Sequence, residues 1–126
     1  MEIELQKVKD RLEQLGYSAD QTDDVAITFV IEKTEAHIKN NCNVSTIPEG
    51  LKLYAIDSIC GEYINQLNSI GKLKDFNIEQ ALKNIKIGDT TVEYSGKSNT
   101  DLFDILITRL INRLEVELPC YRSIKW

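Results

Sequence analysis

Residues 38–62 read IKNNCNVSTIPEGLKLYAIDSICGE, and this stretch decides the fold. A helix running up to Ile38 meets the polar knot Asn40-Asn41, and asparagine is a common helix stop. Ser45 or Thr46 is then placed to cap a second helix with Pro48 in its first turn, where a missing N–H costs nothing. Leu51, Tyr54, Ala55, Ile59, Tyr63 and Leu67 recur at steps of three and four. Leu53, Ile56, Cys60 and Ile64 form a second apolar line beside them. A helix that is apolar over most of its circumference belongs at the centre of a core or in an assembly. Its most buried residues are predicted to include Ile56, Ile59, Cys60 and Tyr63. Gly61 in mid-helix costs about 1 kcal/mol in propensity and marks a close helix crossing. Ser69-Ile70-Gly71-Lys72 ends the helix.

Upstream, Ile3, Val8, Leu12 and Leu15 predict an amphipathic helix over 2–15, with Gly16 as its left-handed stop. Residues 17–20 read as a loop. Gln21-Thr22-Asp23-Asp24 supplies a capping hydroxyl and two acids, placed where the helix macrodipole favours negative charge. The helix that follows is predicted to carry Val25, Ala26, Phe29, Val30, Lys33, Ala36, His37 and Ile38. Downstream, Asn77 is placed to cap a short helix through Ala81, Leu82 and Ile85. Alternation on both sides of Gly88-Asp89-Thr90 predicts a β-hairpin over 85–94. Ser98 or Asn99 then caps a last helix with Leu102, Phe103, Leu106, Ile107, Leu110, Ile111 and Leu114, running to Pro119. The expected architecture is mainly α: one domain over 1–126, a small bundle of four to five helices with one short β excursion.

The chain has 126 residues, 42% hydrophobic and 28% charged, as an ordinary globular domain has. Its net charge of −5 is uneven: residues 1–63 carry net −6 and residues 64–126 net +1. A duplex-DNA binder shows the opposite bias, with a basic face to neutralise phosphates. The last helix offers only Arg109 and Arg113 and ends in Glu115 and Glu117, a poor recognition helix. Three cysteines, Cys42, Cys60 and Cys120, are widely spaced and form no C-x-x-C pair. That favours a reducing cytoplasm over a disulfide framework or a zinc site. The first ten residues lack a signal peptide's apolar run, and no segment reaches the ~18 apolar residues of a membrane span.

Catalytic signatures are absent. His37 is the single histidine and stands alone between Glu35 and Lys39. Gly96-Lys97-Ser98 resembles the end of a phosphate-binding loop, but the glycine required five residues before Gly96 is Thr91. Asp23-Asp24 and Glu32/Glu35 are explained by helix-start charge and a solvated face. No enzyme activity, cofactor or metal is expected. Two segments invite a partner instead. The Gly88-Asp89-Thr90 tip of the hairpin either caps the core or reaches a neighbour. The tail over 119–126 carries Tyr121, Arg122, Ile124, Lys125 and Trp126 with no acid. Such residue types dominate interface hot spots, unless Trp126 folds back on its own domain.

Asn40–Leu51, the run Ala55-Ile56-Asp57-Ser58-Ile59-Cys60-Gly61-Glu62, Ile85–Thr90, and Tyr121-Arg122 with a terminal Trp resemble the head-tail connector (adaptor) proteins of tailed bacteriophages and prophages. The resemblance spans nearly the whole chain through structural rather than chemical motifs. It implies a structural virion-assembly protein whose copies form a ring, dodecameric in the virion, between the portal and the tail or stopper proteins. DNA would pass through its channel without sequence-specific binding, along an acidic wall that does not retain it. In related adaptors the C-terminal segment reaches into the portal, and the composition of Tyr121–Trp126 predicts a strip that is mobile in the isolated subunit and ordered against that ring. The implied location is the bacterial host cytoplasm during assembly, then the virion neck, with no membrane partner. The competing reading is a small cytoplasmic helical regulator or interaction module.

Overall fold

The computed structural model describes residues 2–73, 76, 81 and 99–121. Four α-helices run through these residues: α1 (Leu5–Gln14), α2 (Asp24–Cys42), α3 (Glu49–Ser69) and α4 (Asn99–Glu117). Single 3-10 turns, Gln21–Asp23 and Leu118–Tyr121, precede α2 and follow α4. No strand occurs among the described residues. The hairpin over 85–94, with its tip Gly88-Asp89-Thr90, lies outside them, as does most of the short helix expected from Asn77. Of that helix Ala81 is described, helical and buried.

Helix α3 is the axis, and α1, α2 and α4 all pack on it. Leu51, Ala55, Ile59, Cys60 and Ile64 are fully buried, and Ile56, Tyr63 and Leu67 nearly so, as the double apolar line predicts. Full burial of a side chain of this size contributes about 1.5–3 kcal/mol. Leu53 is the exception, 75% exposed near the start of the helix. Gly61 sits at the crossing with α4. A Cβ there would lie 2.8 Å from Leu110 Cβ and 3.2 Å from Ile111 Cγ1, so only glycine lets the two backbones come this close. Leu102, Phe103, Leu106, Leu110 and Leu114 bury the facing side of α4.

Local chemistry sets the ends. Gly16 adopts φ +105°, and the Tyr17 amide donates back to Leu12 O at 2.9 Å, closing α1 as expected. The cap before α2 differs from expectation. It is the Asp20 carboxylate, which accepts from Thr22 N at 2.9 Å while the Asp23 carboxylate accepts from Asp20 N, a reciprocal capping box. The Thr22 hydroxyl bonds to Asp20 rather than to the backbone. Helix α2 runs on to Cys42 and stops at Asn43, whose φ of 56° is left-handed. Pro48 precedes α3 with extended backbone, and neither Ser45 nor Thr46 caps it: the helix starts without a side-chain cap.

The orientation of α2 corrects the sequence reading. Ile27, Val30, Ile31, Ile38 and Cys42 face the core, whereas Val25 and Phe29 are 83% and 65% exposed. Ion pairs lace the helices: Lys9–Asp24 at 2.8 Å, Arg11–Asp57 at 2.7 Å, and Lys33–Glu62. Partly exposed pairs of this kind contribute about 0–1 kcal/mol each, so they set register more than stability.

Two substitutions test this packing. Ile59→Ala should destabilise by about 2–5 kcal/mol, the usual cost of emptying a buried site. Gly61→Ala should also destabilise, by about 1–3 kcal/mol of overpacking, although alanine is the better helix former. Urea unfolding would check both, and a Gly61→Ala variant more stable than the parent would overturn the close crossing.

Candidate functional site

The partner segments of the sequence reading direct attention to the end of the bundle where the chain leaves α4. There the tail residues Pro119, Cys120 and Tyr121 are described, and Tyr121 closes a 3-10 turn. The Leu118–Tyr121 turn folds it back, half-buried, onto the start of α3. Its ring lies over Gly50, where a Cβ would come within 2.7 Å of Tyr121 Cζ and closer still to the hydroxyl. Leu118 is buried, and its carbonyl accepts from Cys42 Sγ at 3.5 Å. Arg122, Ile124, Lys125 and Trp126 lie outside the described residues, as do Gly88, Asp89 and Thr90.

The Asn40–Leu51 passage builds this seat. Asn43 ends α2, Cys42 holds the turn after α4, Ile47 is buried, and Gly50 leaves room for the Tyr121 ring. The beginning of the chain is fastened to the same passage. Glu2 Oε1 accepts from Ile47 N at 2.8 Å while Oε2 pairs with Lys39 Nζ at 2.8 Å. The hydrogen bond from Lys39, then that from Ile47, hold the Glu2 carboxyl below its ordinary value. Ile3, itself buried, donates its amide to buried Glu35 at 2.8 Å. Both described ends of the chain and the loop between α2 and α3 therefore meet in one place. Sequence periodicity had no means of finding Gly50 and Tyr121 together, since they are far apart along the chain. The small residue in the first turn of a helix was the one available sign.

At the N-terminal end of α2 a second polar group is buried. Asp23 Oδ1 accepts from Tyr17 OH at 2.9 Å and from Tyr63 OH, and its Oδ2 accepts from Asp20 N at 2.9 Å. The two rings meet edge to face, with centroids 6.2 Å apart. Burial first, then the Asp23 hydrogen bond, push the Tyr17 hydroxyl up to about 12; the same causes raise Tyr63. With both carboxylate oxygens occupied and both phenols held neutral, the cluster ties α2 to α3 rather than poising a base or nucleophile. An open cleft of about 530 Å³ beside it is lined by Thr22, Ala26, Gln66, Ile70 and Lys72.

His37 is half exposed on α2, and its Nε2 lies 2.8 Å from Glu115 Oε1 of α4. Cys60 is buried, which pushes its thiol up, and its Sγ donates to Val8 O at 3.6 Å. Among the described residues, no group of three His, Cys, Asp or Glu side chains is placed to hold a metal ion, and no helix is long and apolar enough to cross a membrane. No protein-family model, curated protein or solved structure matches the chain.

Two measurements follow from these contacts. Gly50→Ala should destabilise the parent by about 1–3 kcal/mol through the clash with Tyr121. In a Tyr121→Ala background the same change should stabilise by up to ~1 kcal/mol, because the helix then gains propensity without a clash. Equal effects in the two backgrounds would unseat the ring. For the tyrosines, a phenol that keeps its proton longer when folded stabilises the fold fully below the unfolded value of 10.0, and that contribution is lost as pH rises to about 12. Stability should therefore fall across that window, less steeply in Tyr17→Phe. Absorbance titration of tyrosinate with parallel urea melts would read it.

Proposed function

We propose that this chain is a structural virion-assembly protein, an adaptor whose copies form a ring between the portal and the tail or stopper proteins of a tailed phage or prophage. The observation that carries the reading is the seat at Asn40–Leu51. One of the passages that resemble head-tail connectors is also the passage that gathers the chain's described ends and anchors Tyr121. Five residues follow that anchor, Arg122-Ser123-Ile124-Lys125-Trp126, with two cations, a tryptophan and no acid. A firm anchor followed by a short strip of interface-forming residues suits a segment that docks on a larger partner. Arg122 and Lys125 can pair with acidic groups there, and Trp126 and Ile124 can bury apolar area. The acidic N-terminal half suits a channel wall along which DNA slides without sticking. A ring of dodecameric symmetry would multiply a weak contact per subunit into stable attachment.

Truncation after Tyr121 tests the reading with the portal protein encoded by the same genome. The full chain should co-sediment with portal rings. The chain lacking residues 122–126 should keep its helical signal and melting temperature and lose that attachment. His37→Ala should attach as the parent does. A full chain that fails to bind portal rings would sink the adaptor reading, and a truncated chain that binds unchanged would remove the docking role from the tail.

A further inference from the structure

Glu2 and Ile3 stand outside α1, which begins at Leu5 without a side-chain cap. Groups from elsewhere in the chain hold them. Glu2 takes both Lys39 Nζ and the Ile47 amide, each at 2.8 Å, and the Ile3 amide donates to Glu35 at the same distance. The Ile3 side chain is 2% exposed and belongs to the core cluster. Together the two residues form a strap laid across the C-terminal part of α2 and the entry to α3.

What the strap fastens is the frame of the Tyr121 seat. Ile47 lies three residues before Gly50, against which the Tyr121 ring rests. Lys39 lies three before Cys42, whose Sγ reaches Leu118 O at 3.5 Å. The Lys39 carbonyl also accepts from Val44 N at 3.2 Å, so one residue joins the strap, the end of α2 and the loop beyond it. Glu2 therefore bridges both supports of the seat, one on each side of the α2–α3 loop. Its clasp is the part that water reaches: Glu2 and Lys39 are 28% and 35% exposed, where salt screens a pair. Segments held by such contacts open at a lower free energy than the whole fold.

We propose that Glu2-Ile3 is a latch on the tail anchor. With the strap down, the α2–α3 loop holds Tyr121 on Gly50. When the strap lifts, that loop relaxes and the Leu118–Tyr121 turn comes away, while α3 stays packed. The loop is the two-state element that both ends of the chain bias, so unseating Tyr121 loosens the strap in equal measure. The latch stands on these contacts, and only its consequence for docking rests on the adaptor reading. There a lifted strap weakens attachment, because the tail then starts from a loose anchor.

Two buried thiols report on the two layers. Cys42 lies against the tail turn, and Cys60 lies against α1 at Val8. In a chain with exposed Cys120 changed to Ser, labelling with N-ethylmaleimide and peptide mass spectrometry gives a rate for each. Glu2→Ala should speed Cys42 labelling about fivefold and leave Cys60 within about twofold of the parent. Added salt should speed Cys42 labelling in the parent and leave it unchanged in Glu2→Ala, which has no clasp to screen. In a Tyr121→Ala background, where the seat is already open, Glu2→Ala should add less than about twofold. An unchanged Cys42 rate, equal acceleration of both thiols, or a full effect without Tyr121 would overturn the latch. Portal co-sedimentation reads the adaptor function separately. Portal binding with unchanged thiol rates sinks the latch alone, and latch behaviour in a chain that does not bind portal rings sinks the adaptor reading alone.

Discussion

The bundle depends on the distance at which α3 and α4 cross. At Gly61 the missing side chain lets Leu110 and Ile111 press directly against the α3 backbone. Interiors pack at crystal-like density, so a gap or a clash of one methyl group here is felt along both helices. Tyr54 and Arg113 continue the contact at its edge, the guanidinium 5.4 Å from the ring centroid. With α4 held so close on one side, α1 and α2 close over the remaining circumference of α3. That is why a helix with so little polar surface is stable in a chain of this size: three neighbours bury its apolar residues from Ala55 to Ile64.

A helix buried along most of its middle leaves the polar groups around it dependent on one another. Asp23 and Glu35 are both buried carboxylates, and among the described residues neither is matched by a buried cation. Each is held by neutral donors: two phenols and an amide for Asp23, the Ile3 amide for Glu35. Among the described residues no buried side-chain nitrogen or oxygen lacks a partner. Donors fixed by backbone position can stabilise a carboxylate away from water, where an unmatched one would be costly. Each carboxylate also joins two pieces of chain that helical periodicity leaves unrelated. Asp23 links the first loop to α3, and Glu35 fastens the chain's beginning to α2.

What the sequence made legible follows from range. The axis helix, its stop at Gly71, the left-handed Gly16 and the crossing at Gly61 are encoded in local spacing, and all four are present. The face of α2 was misread because its apolar residues lie on both sides. Val25 and Phe29 share a spacing as regular as that of Ile27, Val30, Ile31 and Ile38, and only burial distinguishes the two sets. The cap before α2 was misplaced because an aspartate pair three residues apart replaced the usual hydroxyl-and-glutamate pattern. The start of α3 was misplaced because Pro48 fixes the turn without help from Ser45 or Thr46. The seat of Tyr121 on Gly50 was not legible at all, for a contact across the whole chain has no periodicity.

The two classes of surface on this molecule carry different physics. The end built by Asn40–Leu51 is fixed by backbone hydrogen bonds, a thiol contact and a ring against a glycine, so it holds its shape before anything binds. Val25, Phe29 and Leu53, by contrast, are apolar side chains that stand outside the core. On the proposed reading these differences are complementary. A segment leaving a rigid anchor loses less entropy on docking than one leaving a frayed helix, and the anchor sets where each copy begins its reach. Contacts between copies in the proposed ring need only be weak, so that subunits stay separate until a template aligns them. Once aligned, each copy is held by two neighbours and by the partner beneath it, and effective concentration rather than area per contact sets the stability of the assembly.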